Sequence, residues 1–107
     1  MKKRIFRGEE YCEVHPDFMI ALLQSGPAPN YSPRGRFLAQ DPETGMWCAV
    51  DNETGDAWTE EFFSRYVALQ WLCTTVYHDT EYAHQIDRRA KQQSLAARDK
   101  EKQWRPS

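Results

Sequence analysis

Two nearly identical turn sequences, ten residues apart, constrain the fold of this chain more than any other feature. Asp41-Pro42-Glu43-Thr44-Gly45 and Asp51-Asn52-Glu53-Thr54-Gly55 each begin with an acid that bonds its own backbone and end with a glycine. Glycine readily adopts the positive φ that tight hairpin turns require, because it carries no Cβ. The turns therefore predict a meander of three short strands over residues 36–40, 46–50 and 56–62.

Helical signals lie on both sides of this meander. Pro16 suits the first position of a helix whose middle is almost wholly apolar and which is predicted to stop at Gly26. Ser64 is a good N-cap for a second helix over residues 65 to about 77. Residues 3–14 favour one or two short extended pieces around a central glycine.

These elements predict a single α+β domain over residues 1–87. It consists of a three-stranded antiparallel β-meander packed on helices in the order α-β-β-β-α, with an extra N-terminal strand as an open alternative. Residues 88–107 have good helix propensity but almost no apolar face, and they predict a basic tail that is helical or disordered. Residues 26–35 contain three prolines and two glycines and predict a mobile or binding loop.

Composition and cysteine content restrict the cellular compartments in which we expect this chain. The 107 residues carry a formal net charge of −2, and the three cysteines, Cys12, Cys48 and Cys73, form an odd set without framework spacing. No apolar run near the N-terminus reaches the length of a signal segment or a membrane span. We therefore expect a cytoplasmic protein with free thiols and no membrane association.

Acidic residues are concentrated in the predicted meander. Residues 41–63 contain seven carboxylates and neither Lys nor Arg, which is more acid than the turns require. Our leading hypothesis is a non-enzymatic interaction module whose acidic hairpins, with a nearby tryptophan, bind and inhibit a basic nucleic-acid-handling protein. The predicted partner-binding residues are Asp41, Glu43, Trp47, Asp51, Glu53, Asp56, Trp58 and Glu60.

Most of the basic residues lie at the two ends of the chain and support an alternative. In that hypothesis the protein is a nucleic-acid-binding accessory protein whose contacts are salt-sensitive and largely independent of sequence. The predicted binding residues are then Lys2, Lys3, Arg4, Arg7, Arg88, Arg89, Lys91 and Arg98. A third hypothesis is a homodimer in which residues 79–103 pair as antiparallel helices.

Catalytic and metal signatures have little support. The chain contains no G-x-S-x-G, H-E-x-x-H, P-loop or dinucleotide-binding motif. Cys12 and His15 have the spacing of half a zinc site, but a second close pair does not follow. Residues 51–56 cluster oxygen ligands, but glycine falls at the wrong position for a calcium loop. The sequence thus predicts no catalytic residues, no metal and no cofactor.

The hairpin segment also carries a resemblance. Residues 51–62 read DN-x-TGD-x-W-x-EEF, and with the helix that follows they resemble small proteins of bacteria, phages and integrative elements. The resemblance covers about a third of the chain and implies a hairpin-plus-helix fold and a mobile-element origin, without catalytic residues. The β-β-β-α order is also similar to the arm-binding domain of tyrosine recombinases and to AP2-like sheets.

Those DNA-binding sheets present Arg and Lys, whereas residues 41–63 present Asp and Glu, which argues against DNA binding by the sheet. In size and acidity the chain resembles phage anti-defence inhibitors such as anti-CRISPR proteins.

Overall fold

The computed structural model describes residues 2–74 and 79–103, and beyond residue 92 it describes the backbone of the last helix alone. The chain forms five strands and three helices over these residues. In chain order they are β1 (Lys2–Phe6), β2 (Glu9–Glu13), α1 (Pro16–Leu23), β3 (Gly35–Gln40), β4 (Trp47–Asn52), β5 (Trp58–Phe62), α2 (Arg65–Cys73) and α3 (Thr80–Gln103).

The prediction of a three-stranded antiparallel meander is wrong, although the α+β class is correct. The strands form one mixed sheet in the order β1-β2-β3-β4-β5, and β2 and β3 are parallel. The N-terminal residues form a complete hairpin, since Arg7 and Gly8 adopt φ values of 49° and 84°, the conformation of a tight two-residue turn. The helix α1 then supplies the crossover that parallel neighbours require.

The β3–β5 part of the sheet follows the turn sequences. Antiparallel register runs from Gly35–Asn52 to Gln40–Trp47 between β3 and β4, and from Trp47–Phe62 to Asp51–Trp58 between β4 and β5. The observed strand ends differ from the expected ones by one or two residues. Local turn chemistry therefore determines this half of the sheet.

The sheet lies between two helical layers. Alternate residues of each strand face α1 on one side and α2 with α3 on the other. The core on the α1 side contains Met19, Leu22, Phe37, Ala39 and Val50. The core on the opposite side contains Tyr11, Leu38, Ala49, Phe62, Val67, Ala68, Leu69, Leu72, Cys73 and Ala83.

Both predicted helix starts are present. Pro16 is the first residue of α1, and the backbone N–H of Asp17 donates to Nδ1 of His15 at 3.1 Å. The Ser64 side chain caps α2 by accepting from the N–H of Val67 at 3.3 Å. Helix α2 ends at Cys73, because Thr74 adopts an extended conformation, so the expected end near residue 77 is wrong; residues 75–77 themselves lie outside the described residues. Residues 88–103 continue α3 as helix.

Buried Asp87 of α3 joins this helix to the start of α2. Its two carboxylate oxygens accept the backbone N–H groups of Phe63 and Ser64 at 2.7 and 2.8 Å. A carboxylate here satisfies N–H groups at a helix N-terminus, where negative charge is also favourable.

Truncation of this carboxylate should destabilise the fold. We expect Asp87→Ala to lower the free energy of unfolding by roughly 3 kcal/mol, because two charge-assisted hydrogen bonds are lost and two N–H groups are left without acceptors. Urea denaturation provides the measurement. Asp79→Ala is the matched control, since exposed Asp79 accepts a single N–H, that of Glu81. Equal losses in the two variants would contradict the assigned role of Asp87.

Candidate protein-binding groove

The structure divides the predicted acidic surface into two parts. Strand β4 has one turn at each end, so Asp41 and Glu43 lie at one end of the sheet and Asp51, Glu53 and Asp56 at the other. The six residues of β4 separate the two turns by roughly 17–20 Å. The acids of the two hairpins therefore do not form one continuous patch.

In the β4–β5 turn, the acidic side chains contact their own chain. The Asp51 carboxylate accepts the N–H of Glu53 at 3.2 Å, and the Thr54 hydroxyl donates to Asp56 at 2.7 Å. The Glu53 carboxylate forms an ion pair with Arg36 at 3.1 Å. Much of the acidity at this end of the sheet thus stabilises the turn and its neighbouring strand.

Asn52 connects this turn to the proline-rich loop. Its amide group is fully buried and donates to the carbonyl oxygens of Tyr31 and Pro33 at 3.0 and 2.7 Å, while its side-chain oxygen accepts the N–H of Ala57 at 3.1 Å. The N–H of Tyr31 in turn donates to the carbonyl of Gly55. The loop predicted as a mobile or binding segment is therefore fastened to the second hairpin.

The two predicted tryptophans differ in accessibility. Trp47 is half-buried against the α2 side, with the Arg65 guanidinium 5.6 Å from its ring centroid. Trp58 begins the edge strand β5, at the opposite end of the sheet from Trp47, and is 66% exposed. Glu60, two residues further on, lies 2.8 Å from Nε2 of His84. Of these three predicted contact residues, Trp58 is the most available to a partner.

The β3–β4 turn borders a groove. The Asp41 carboxylate accepts the N–H of Glu43 at 2.8 Å, and the Thr44 hydroxyl accepts the N–H of Met46 at 3.2 Å. Between this turn, α1 and the strands β3, β4 and β5 lies a groove of about 220 Å³, which we call the acidic groove. It is lined by Pro16, Met19, Ile20, Leu23, Ala39, Asp41, Thr44, Met46, Cys48 and Glu61.

Apolar walls and acidic charge characterise the acidic groove. Among its described lining residues, Asp41 and Glu61 carry charge, and neither Lys nor Arg occurs. Ile20 and Leu23 of α1 are 54% and 38% exposed. Helix α1 packs mainly on β3, so it does not cover β5, although one face of β5 lies on the same side of the sheet as α1. The groove can therefore bury apolar side chains and attract a positively charged ligand.

Thiol chemistry does not suit the acidic groove. Burial, with a further contribution from the charge of Glu61, raises the pKa of the Cys48 thiol to about 11. Burial likewise raises the pKa of Cys73 to about 11. Both thiols are protonated near neutral pH, and the protonated thiol is a poor nucleophile.

The predicted basic residues lie near opposite edges of the sheet. Lys2, Lys3 and Arg4 belong to edge strand β1, and Arg7 lies in the turn that follows it. Helix α3 packs near β5, four strand spacings or roughly 19 Å away. The other predicted basic residues, Arg88, Arg89, Lys91 and Arg98, belong to α3, and the side chain of Arg98 lies outside the described part.

Several of these bases already have partners. Arg4 Nε lies 3.1 Å from the Glu13 carboxylate, and Arg88 pairs with Glu81 at 3.4 Å. The Lys91 ammonium lies 3.7 Å from the centroid of the Phe63 ring. Among the side chains that the structure describes, the two basic ends thus do not form one surface.

Comparisons with protein families, with curated proteins and with solved structures gave no match. Within residues 2–74 and 79–103, no helix is both long and apolar enough to cross a membrane. In that same part of the chain, no group of three or more His, Cys, Asp and Glu side chains is placed to hold a metal ion.

Proposed function

We propose that this protein is a non-enzymatic interaction module that binds a basic surface of a nucleic-acid-handling protein in the cytoplasm and inhibits it. The supporting observation is the acidic groove, in which exposed Ile20 and Leu23 stand beside the carboxylates of Asp41 and Glu61. Glu43 adds a third acid on the adjoining turn. Origin in a phage or mobile element, with an anti-CRISPR-like role, is part of this proposal.

Charge complementarity supports this class of partner. Proteins that handle nucleic acids carry basic channels that neutralise phosphates. A groove with acidic groups at its rim imitates part of that phosphate charge, and its apolar walls add contact area that a nucleic acid would not supply. Interfaces of this kind combine an apolar centre with a polar rim. Occupation of the partner's channel would then exclude its nucleic-acid substrate.

Two substitutions test the groove directly. We expect Glu43→Lys with Ile20→Ser to weaken partner binding about tenfold or more, because one change reverses rim charge and the other removes an apolar contact. Both side chains are exposed, so the fold should be retained. Glu10→Lys, the same charge reversal at an exposed site on β2, is the matched control.

The measurement has two steps. The immobilised protein is exposed to a nuclease-treated bacterial lysate, and the retained protein is identified and purified for titration against each variant. The proposal requires a nucleic-acid-handling protein that binds wild type and Glu10→Lys equally, binds the groove variant weakly, and loses activity when wild type is added. Proteins retained only from a parallel lysate without nuclease treatment would instead support binding through the basic ends.

A further inference from the structure

The two edges of the sheet carry opposite charge. Edge strand β1 presents Lys2, Lys3 and Arg4, whereas edge strand β5 presents Glu60 and Glu61. In the part of the chain that the structure describes, β1 pairs with β2 alone and β5 with β4 alone. Each edge therefore offers unpaired backbone groups that can bind another strand.

Strand directions allow the two edges to meet between copies. Strand β1 is antiparallel to β2, β2 is parallel to β3, and the remaining neighbours are antiparallel, so β1 and β5 run in opposite directions. A second copy in the same orientation beside the first would place its β1 antiparallel to β5. The helix-bearing faces of both copies then stay on the same sides of one continuous sheet.

One register places a basic residue of β1 opposite each of the two acids of β5, with Lys2 opposite Phe62. When Arg4 of one copy lies opposite Glu60 of the next, Lys3 lies opposite Glu61 and Phe6 lies opposite Trp58. Opposite-charge and aromatic pairs are both favourable across antiparallel strands. The paired side chains also lie on the same face of the combined sheet. Arg4 and Phe6 of β1 belong to the α2 side, and so do Glu60 and Trp58 of β5.

Symmetric pairing is disfavoured by the same charges. A two-fold β5–β5 contact centred on the strand would place Glu60 opposite its own copy, and the corresponding β1–β1 contact would do so with Arg4. Like charges directly opposite each other destabilise a strand pair. The edges are therefore complementary to each other and not to themselves.

The surfaces around both edges leave room for this contact. On the α2 side of β1 lies an open groove of about 590 Å³, lined in part by Arg4, Phe6 and Tyr66. It lies where α3 of the neighbouring copy, which packs beside β5, would approach. Ile5 and Trp58 are 70% and 66% exposed and would both be covered.

We propose that a second copy of this chain binds edge to edge, with β1 of one copy paired to β5 of the next. The contact is head-to-tail, so a pair of copies keeps one free basic edge and one free acidic edge, and assembly can continue. Strand twist of about 20–25° per step over five strands rotates each successive copy by about 100–125°. The expected assembly is thus an open helix with about three copies per turn.

Charge reversal with restoration tests the pairing in the purified full-length chain. Sedimentation equilibrium should show a weight-average mass that rises with concentration beyond twice the chain mass of 12.6 kDa. Lys3→Glu and Glu61→Lys should each weaken self-association about tenfold, because an attractive cross-strand pair becomes repulsive. A mixture of the two variants should restore it, since each then supplies the complementary edge. High salt should weaken assembly of the wild type.

This test has a matched control and three outcomes that would contradict the pairing. Glu10→Lys changes charge by the same amount on an inner strand and should leave self-association unchanged. A wild-type chain that stays monomeric at all concentrations would overturn the inference, as would single variants that still assemble or a mixture that fails to do so. The readout uses this chain alone, so it is independent of whether the acidic groove binds a partner.

Discussion

Replacement of Asn52 by alanine is expected to lower the free energy of unfolding by roughly 3–5 kcal/mol. The buried amide makes three hydrogen bonds, two to loop carbonyls and one to the N–H of Ala57. Removal leaves these three part-buried backbone groups without the Asn52 side chain as a partner and leaves a cavity of side-chain size. Urea denaturation monitored by tryptophan fluorescence gives the value.

Two companion variants sharpen this expectation. Asn30→Ala removes an exposed amide from the same loop and should change stability by less than about 0.5 kcal/mol. Asn52→Asp places a carboxylate against two carbonyl oxygens, so its pKa in the folded state should be raised. The resulting destabilisation is therefore largest at neutral pH and is relieved as the pH falls toward about 3.9, the ordinary aspartate value. If Asn52→Ala behaves like Asn30→Ala, the connection between loop and hairpin is not important for stability.

Gly55→Ala is expected to destabilise the protein by about 3 kcal/mol or more. Gly55 adopts a φ of 88°, and an added Cβ would clash with the backbone carbonyl oxygen of Pro29. The clash involves backbone and cannot be relieved by a rotamer change, so the loop must move and its hydrogen bonds to the turn are strained.

Gly45→Ala separates the two contributions. Gly45 occupies the equivalent position of the first turn with a φ of 74°, but an added Cβ would meet nothing within 4 Å. This variant should therefore show the conformational penalty alone, about 1–2 kcal/mol. Thermal unfolding of both variants under the same conditions measures the difference. Equal destabilisation would show that the loop does not press against the second turn.

The same two glycines show what could be predicted from the sequence. A hairpin turn depends on a few adjacent residues, and both glycines have the positive φ that the turn sequences indicated. The start of α1 at Pro16 and the cap of α2 at Ser64 are equally local and were equally predictable. Signals that act within four or five residues therefore determined the correct parts of the prediction.

Non-local relations explain the parts that were missed. Parallel pairing of Cys12 with Phe37 joins residues 25 positions apart, and no adjacent residues signal it. Counting acids also could not show that the two acidic turns lie at opposite ends of β4. The acidic groove did have a signal, since the middle of α1 is apolar on more sides than one sheet contact can cover. Ile20 and Leu23 form that surplus apolar surface.

The short parallel contact between β2 and β3 limits how cooperatively the N-terminal hairpin unfolds with the rest of the sheet. Its register contains two residue pairs, whereas β1–β2 contains five and β3–β4 contains six. Arg36 strengthens this seam by pairing with Glu9 on one side and Glu53 on the other. We therefore expect the N-terminal hairpin to open first, with its amides exchanging with solvent before those of β3–β5 while the remaining sheet stays folded.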